Sequence, residues 1–99
     1  DGKRGSVSIS GRLDYDSFRL DAKEPCVVAA EAAVRAAGGT PTHAISNGGL
    51  DANWLSSHGI PAVTLGCGQK HIHTTAEQLD LEEFVRACRI GLRLATSPA

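Results

Sequence analysis

Apolar and polar positions alternate in "SVSISGRLDY", residues 6–15, where Val7, Ile9, Leu13 and Tyr15 hold odd positions and polar residues the even ones. This is the period-two signature of a strand with one wet face. Gly11 falls on the apolar side and marks a bulge or bend. "DSFRLDAKEP" then breaks the rhythm and ends in helix-start chemistry, with Asp21 as cap and Pro25 in the first turn. A boundary between two structural units is expected there.

From Glu24 to Ala37 the alanine-rich "EPCVVAAEAAVRAAGG" predicts a helix that stops at Gly38-Gly39, one glycine taking the left-handed cap conformation. Only Glu31 and Arg35 break its apolar surface, and their spacing lets them pair on the exposed side. The helix is therefore expected to be mostly buried. "THAIS" reads as a short strand, "GGLDANWLSSHG" as a glycine turn into a short helix closing at Gly59, and "IPAVTLGC" as an apolar strand of a sheet covered on both faces. Asp80 and Glu83 open a last helix in a capping-box pattern, with Leu81, Phe84, Val85, Cys88 and Leu92 at helical spacing. The α-β-α-β-α order favours parallel strands joined by right-handed crossovers. Two strands cannot cover three helices, so further strands from elsewhere in the polypeptide or from a partner are expected.

Composition narrows the function classes. Ninety-nine residues suit one small domain. Ten basic against eleven acidic residues give a net charge of −1, and the largest basic cluster is the short "GKR", so neither nucleic acid nor a membrane surface has an electrostatic footprint. Cys26, Cys67 and Cys88 are odd in number and form no CxxC, which fits neither a disulfide framework nor a cysteine zinc site. Reduced thiols in the cytoplasm are the simplest reading. No apolar run reaches membrane-span length, and the chain is expected to be soluble. Because it opens on Asp1 and runs at once into a strand pattern, it is expected to belong to something longer.

The candidate chemistry lies in two places. In an extended segment His71 and His73 would point the same way, which allows a metal pair; the pattern is common by chance, and from the residues alone two surface histidines are the simpler reading. His73 is the better single ligand, because it directly precedes the "TTAE" turn into the last helix. Glu77 either orients a histidine or is solvated. His43 and His58 lack acidic or thiol neighbours at ligand spacing and are expected to be structural. In "SNGGLDANW", Gly48 and Gly49 let backbone N–H groups approach an anion, or merely permit a tight turn with Asp51 stabilising the first helical turn. Trp54 is expected to be a packing residue.

Taken together, "SNGGLDANWLSSHGIPAVTLGCG" and "HTTAEQLDLEEF" resemble the C-terminal part of the co-catalytic zinc peptidases of the peptidase T-like group. Glutamate carboxypeptidase, aminoacylase and succinyl-diaminopimelate desuccinylase belong to the same wider family. "YDSFRLDAKEPCVVAAEAAVRAAGGTP" looks like the return from that family's inserted lid into its catalytic domain. The resemblance implies an α/β fold, the C-terminal part of a phosphorylase/hydrolase-like zinc-exopeptidase catalytic domain with helices on a mostly parallel sheet (residues 21–99). The last strand of the lid, or dimerisation, domain would precede it in residues 1–20. It further implies that His73 is a metal ligand, and that Asn47, Gly48, Gly49 and Leu50 contact substrate. Asp51 would be structural, and His71 has no implied role.

The implied cofactor is zinc, two ions per complete active site, or other divalent metals. The implied partners are a peptide or N-acyl amino acid substrate, the rest of the catalytic domain, and a second copy joined through the lid. Leu50 stands where a small hydroxyl residue is frequent in the family, which weakens a side-chain contact to substrate there. The family's other metal ligands and its paired glutamates are missing from these residues, so the chain alone is expected to hydrolyse nothing. A free-standing α/β module that binds an anion at its glycine turn is the alternative reading. An interaction module that adds its "SVSIS" strand to a partner's sheet is another.

Overall fold

The computed structural model describes residues 2–97. Helix α1 spans Pro25–Ala36 and α2 Asp51–Ser57; strands β1 (Gln69–Lys70) and β2 (Gln78–Leu79) follow, and helix α3 spans Leu81–Thr96. The helices fall where propensity and capping place them.

Pro25 opens α1 because its missing N–H would have no partner in the first turn. The N-cap is Glu24 rather than Asp21, whose carboxylate instead accepts from the Lys23 N–H at 2.8 Å in the turn just before the helix. Gly38, at φ +78°, takes the left-handed position that ends the helix. α3 is capped by Asp80, whose Oδ1 accepts from the Glu83 N–H at 3.2 Å. Only half of the expected capping box forms. The Asp80 N–H donates to the Gly68 carbonyl at 2.9 Å, and the Glu83 carboxylate turns to Arg86 at 3.0 Å.

Helices α1 and α3 pack against each other. Val27, Ala30 and Ala33 are buried along one stripe of α1, and Ile90 is the buried residue of α3. α1 is thus covered on one face and not mostly buried, since Val28 on another face is 52% exposed. The apolar stripe expected on α3 is largely uncovered as well, with Leu81 at 70% and Leu92 at 65%. The predicted Glu31–Arg35 pair forms at 2.7 Å.

The expected strands do not form ladders. Residues 6–15, 42–46 and 60–67 have no hydrogen-bonded strand partner, and among the described residues the one ladder is antiparallel, pairing Gln69 with Leu79 and Lys70 with Gln78. A strand exists only through its neighbour's N–H and C=O groups. Val7, Ile9 and Ile45, the apolar positions that marked those segments, are 87%, 91% and 95% exposed.

The radius of gyration is 19.4 Å, whereas a compact domain of this length has one of about 13 Å. The accessible surface of 8617 Å² is roughly 1.6 times that of a folded monomer of this mass. Among the described residues no large side chain is completely enclosed.

Candidate functional site

The glycine turn needs its two glycines for different reasons. Gly48 adopts φ +116°, a conformation that side-chain-bearing residues rarely enter, with open space where a Cβ would be. Gly49 has ordinary backbone angles, but the ring of Tyr15 lies directly against it. A Cβ there would stand 2.5 Å from Tyr15 Cδ1 and 2.9 Å from Cζ. Leu50 is the N-cap of α2, and Asp51 lies in its first turn as expected. Asn47 is exposed. Among the described residues, no acceptor meets the Gly48 or Gly49 N–H, whereas the Leu50 N–H is already taken by Asn53 Oδ1 at 2.9 Å.

Asn53 is the residue that sequence reasoning missed. It is buried, 7% exposed, at the third position of α2. Its side chain accepts from Leu50 and donates through Nδ2 to the Asp16 carbonyl at 2.7 Å. The available signal was an amide three residues after the N-cap, a position from which a side chain reaches back to the N-cap N–H.

His71 and His73 lie in the turn between β1 and β2, not in an extended segment. Both take left-handed backbone conformations, φ +53° and +63°, which β-alternation cannot describe. The argument that they point the same way therefore fails. Non-glycine residues hold such angles only where their surroundings impose them. Here the Glu77 carboxylate accepts from the His73 N–H at 2.9 Å, and the Thr74 hydroxyl donates to the His71 carbonyl at 2.7 Å and accepts from the Ala76 N–H at 3.2 Å. Glu77 thus anchors the backbone of His73 rather than either ring. Both rings are exposed.

The loop is tied to α3 at its base. Gly68, at φ +85°, approaches so closely that a Cβ would lie 2.8 Å from the Asp80 carbonyl and from Glu83 Cβ. Lys70 bonds Asp80 Oδ2 at 3.0 Å. That bond, followed by the Glu83 N–H, holds the Asp80 carboxyl below its usual range.

His43 has an acidic neighbour that spacing concealed. Its Nε2 meets Glu31 Oε1 at 2.7 Å while Arg35 holds Oε2, and the Arg35 bond first, then His43, lowers the Glu31 pKa. His58 packs on Trp54 with ring centroids 4.4 Å apart, and its Nδ1 bonds the Trp54 carbonyl at 2.8 Å. Trp54, expected to be a packing residue, makes this ring contact but is otherwise 66% exposed.

A zinc site takes about four protein or solvent ligands. Among the described residues no three of His, Cys, Asp and Glu converge on a common point that could hold such an ion. No hydrogen bond or ion pair among the described residues joins His73 to the 47–50 turn. Cavities of about 270 and 240 Å³ are lined by other residues.

Residues 5–97 match the family described as peptidase family M20/M25/M40. The chain belongs to the M20 peptidase family. A Bacillus subtilis protein, uncharacterized protein YqjE, is 34% identical over 95 residues, covering 96% of this chain and 26% of its own length. The crystal structure of aminopeptidase PepT from Bacillus cereus superposes with a TM-score of 0.77 at 34% identity, over 84% of this chain and 22% of that one. The chain thus spans about a quarter of the length of these relatives. The likeness to the peptidase T-like group expected from the motifs is borne out, and the fold is a small α/β unit resembling part of an M20 peptidase domain. M20 peptidases are generally metal-dependent. No helix among the described residues is long and apolar enough to cross a membrane.

Proposed function

We propose that this chain is the C-terminal part of the catalytic domain of a zinc-dependent peptidase, one that cleaves di- or tripeptides or related amides. The observation that carries this reading is the 0.77 TM-score and 34% identity to an aminopeptidase, joined to the family match over residues 5–97. The exposed stripes of α3 and of residues 7–9 support it, because apolar surface on this scale asks for covering polypeptide. In that frame residues 21–99 supply helices and the 42–46 and 60–67 strands to a mostly parallel sheet, and residues 1–20 form the last strand of the lid.

His73 is the residue this chain contributes to the metal centre, as neutral imidazole, with the other ligands supplied from elsewhere in the polypeptide. The Glu77 anchor supports that role over His71, which shares the left-handed backbone but whose N–H has no such carboxylate. A bound zinc would polarise the scissile amide and lower the pKa of the attacking water. The Gly48 and Gly49 N–H groups hold the substrate beside it, with Asn47 and the backbone of Leu50 completing the turn. Since the Leu50 N–H is occupied, Leu50 contributes shape and not a donor. A cytoplasmic enzyme, paired with a second copy through the lid, is the form this reading takes.

The test is hydrolysis of a panel of dipeptides, tripeptides and N-acyl amino acids by the complete polypeptide that carries this chain, with and without zinc. Zinc-dependent hydrolysis by the complete polypeptide and none by residues 1–99 alone is expected. A residues 1–99 protein that runs as a stable monomer without exposed apolar surface would overturn the reading.

A further inference from the structure

Among the described residues Asn53 is the buried polar residue, and both ends of its side chain are used. Its carbonyl oxygen fixes the Leu50 N–H, which is the last backbone amide of the glycine turn. Its NH₂ reaches the Asp16 carbonyl, 37 residues earlier in the chain. Tyr15, next to Asp16, lays its ring on Gly49 of the same turn. Two neighbouring residues of the segment entering the catalytic unit therefore hold the turn, one by packing and one through Asn53. A helix cap alone would need only the Leu50 bond.

We infer that Asn53 is a positioning residue for substrate binding, one that sets the Gly48-Gly49-Leu50 turn by clamping it to the chain at Tyr15–Asp16. The inference rests on the reading of that turn as a substrate contact. The clamp has a chemical consequence. By occupying the Leu50 N–H it leaves the Gly48 and Gly49 donors as the pair presented to a carbonyl or carboxylate oxygen of the substrate, in one orientation. Gly48, at φ +116°, has open space where a Cβ would be, so packing on that side does not fix it.

Asn53→Ala and Asn53→Asp in the complete polypeptide separate the two bonds. The alanine variant loses both. The aspartate variant is the same size and still accepts from the Leu50 N–H, but presents an oxygen to the Asp16 carbonyl where a donor stood. Steady-state kinetics on a hydrolysed dipeptide and amide hydrogen exchange at Leu50 are the readouts. For Asn53→Ala, KM should rise about ten-fold, with kcat changed by less than about two-fold, as for lost binding that is equal in ground and transition states. Leu50 should lose its exchange protection while the α3 amides keep theirs. Asn53→Asp should keep Leu50 protected and give an intermediate KM. If Asn53→Ala does not fold, the aspartate variant decides alone, and a wild-type KM in it overturns the clamp. A folded alanine variant with unchanged KM does the same. A wild-type polypeptide that cleaves none of the panel instead brings down the peptidase reading, and with it the substrate role assigned here. A lost Leu50 protection would in that case still show the clamp, now as a structural device only.

Discussion

Replacing Gly49 by alanine probes the packing of Tyr15 on the substrate turn. Carbon atoms in contact settle at about 3.5–4.0 Å, whereas the new Cβ would stand 2.5 Å from Tyr15 Cδ1 and 2.9 Å from Cζ. The ring must retreat by about 1 Å. Tyr15 is 50% exposed and has room to do so, which places the cost near the lower end of overpacking penalties, about 1–2 kcal/mol.

Gly48→Ala costs a similar amount, about 1–3 kcal/mol, but for another reason. Its Cβ meets nothing, and the penalty lies in φ +116°. The two therefore respond differently to Tyr15→Ala. In that background the Gly49→Ala penalty should fall to a few tenths of a kcal/mol, on the order of the usual error of additivity, while the Gly48→Ala penalty should not move. The assay is hydrogen exchange of the α2 amides in the complete polypeptide, which reads the local opening free energy without requiring two-state unfolding of the whole. A Gly49→Ala penalty that persists undiminished beside Tyr15→Ala would refute the packing argument.

Gly68→Ala should be the most damaging of the glycine substitutions. It combines φ +85° with a backbone oxygen and a Cβ at 2.8 Å that cannot swing away, and a loss on the order of 3 kcal/mol in local opening free energy around β1 and β2 is expected. Asp80→Ala should destabilise α3 through its lost cap and Asp80→Asn by less, read by exchange at residues 81–84. The Glu31 carboxyl should titrate below 4.5 by NMR, and Arg35→Ala should raise its midpoint more than His43→Ala does. Because the folded pKa is depressed, the stabilisation from Glu31 is present above 4.5 and disappears as pH falls through the lowered value. Glu31→Gln and the unaltered chain should therefore converge in stability at acid pH.

The helices were legible because their determinants are local. Pro25, the alanine run, Gly38 and Asp80 act within a turn or two of where they stand, and α1 was placed to within a residue at each end. The strands were legible as a pattern and not as ladders, since a ladder needs a second strand and nothing in residues 6–15 or 42–46 supplies one. β1 and β2, two residues each, are too short to carry a period.

At the site, the value of Gly48 could be read from its neighbours in the sequence. That of Gly49 could not, because it depends on Tyr15 far away in the chain. The contact between His43 and Glu31 was hidden for the same reason. The left-handed turn at His71 and His73 escaped because neither residue type demands that conformation; Glu77 and Thr74 impose it from outside.

Metal analysis of the purified complete polypeptide bears most directly on the role given to His73. His73→Ala should carry measurably less zinc than the unaltered protein and lose activity with it, while His71→Ala retains both. Equal and mild losses from the two substitutions, or full zinc content in His73→Ala, would contradict the assignment.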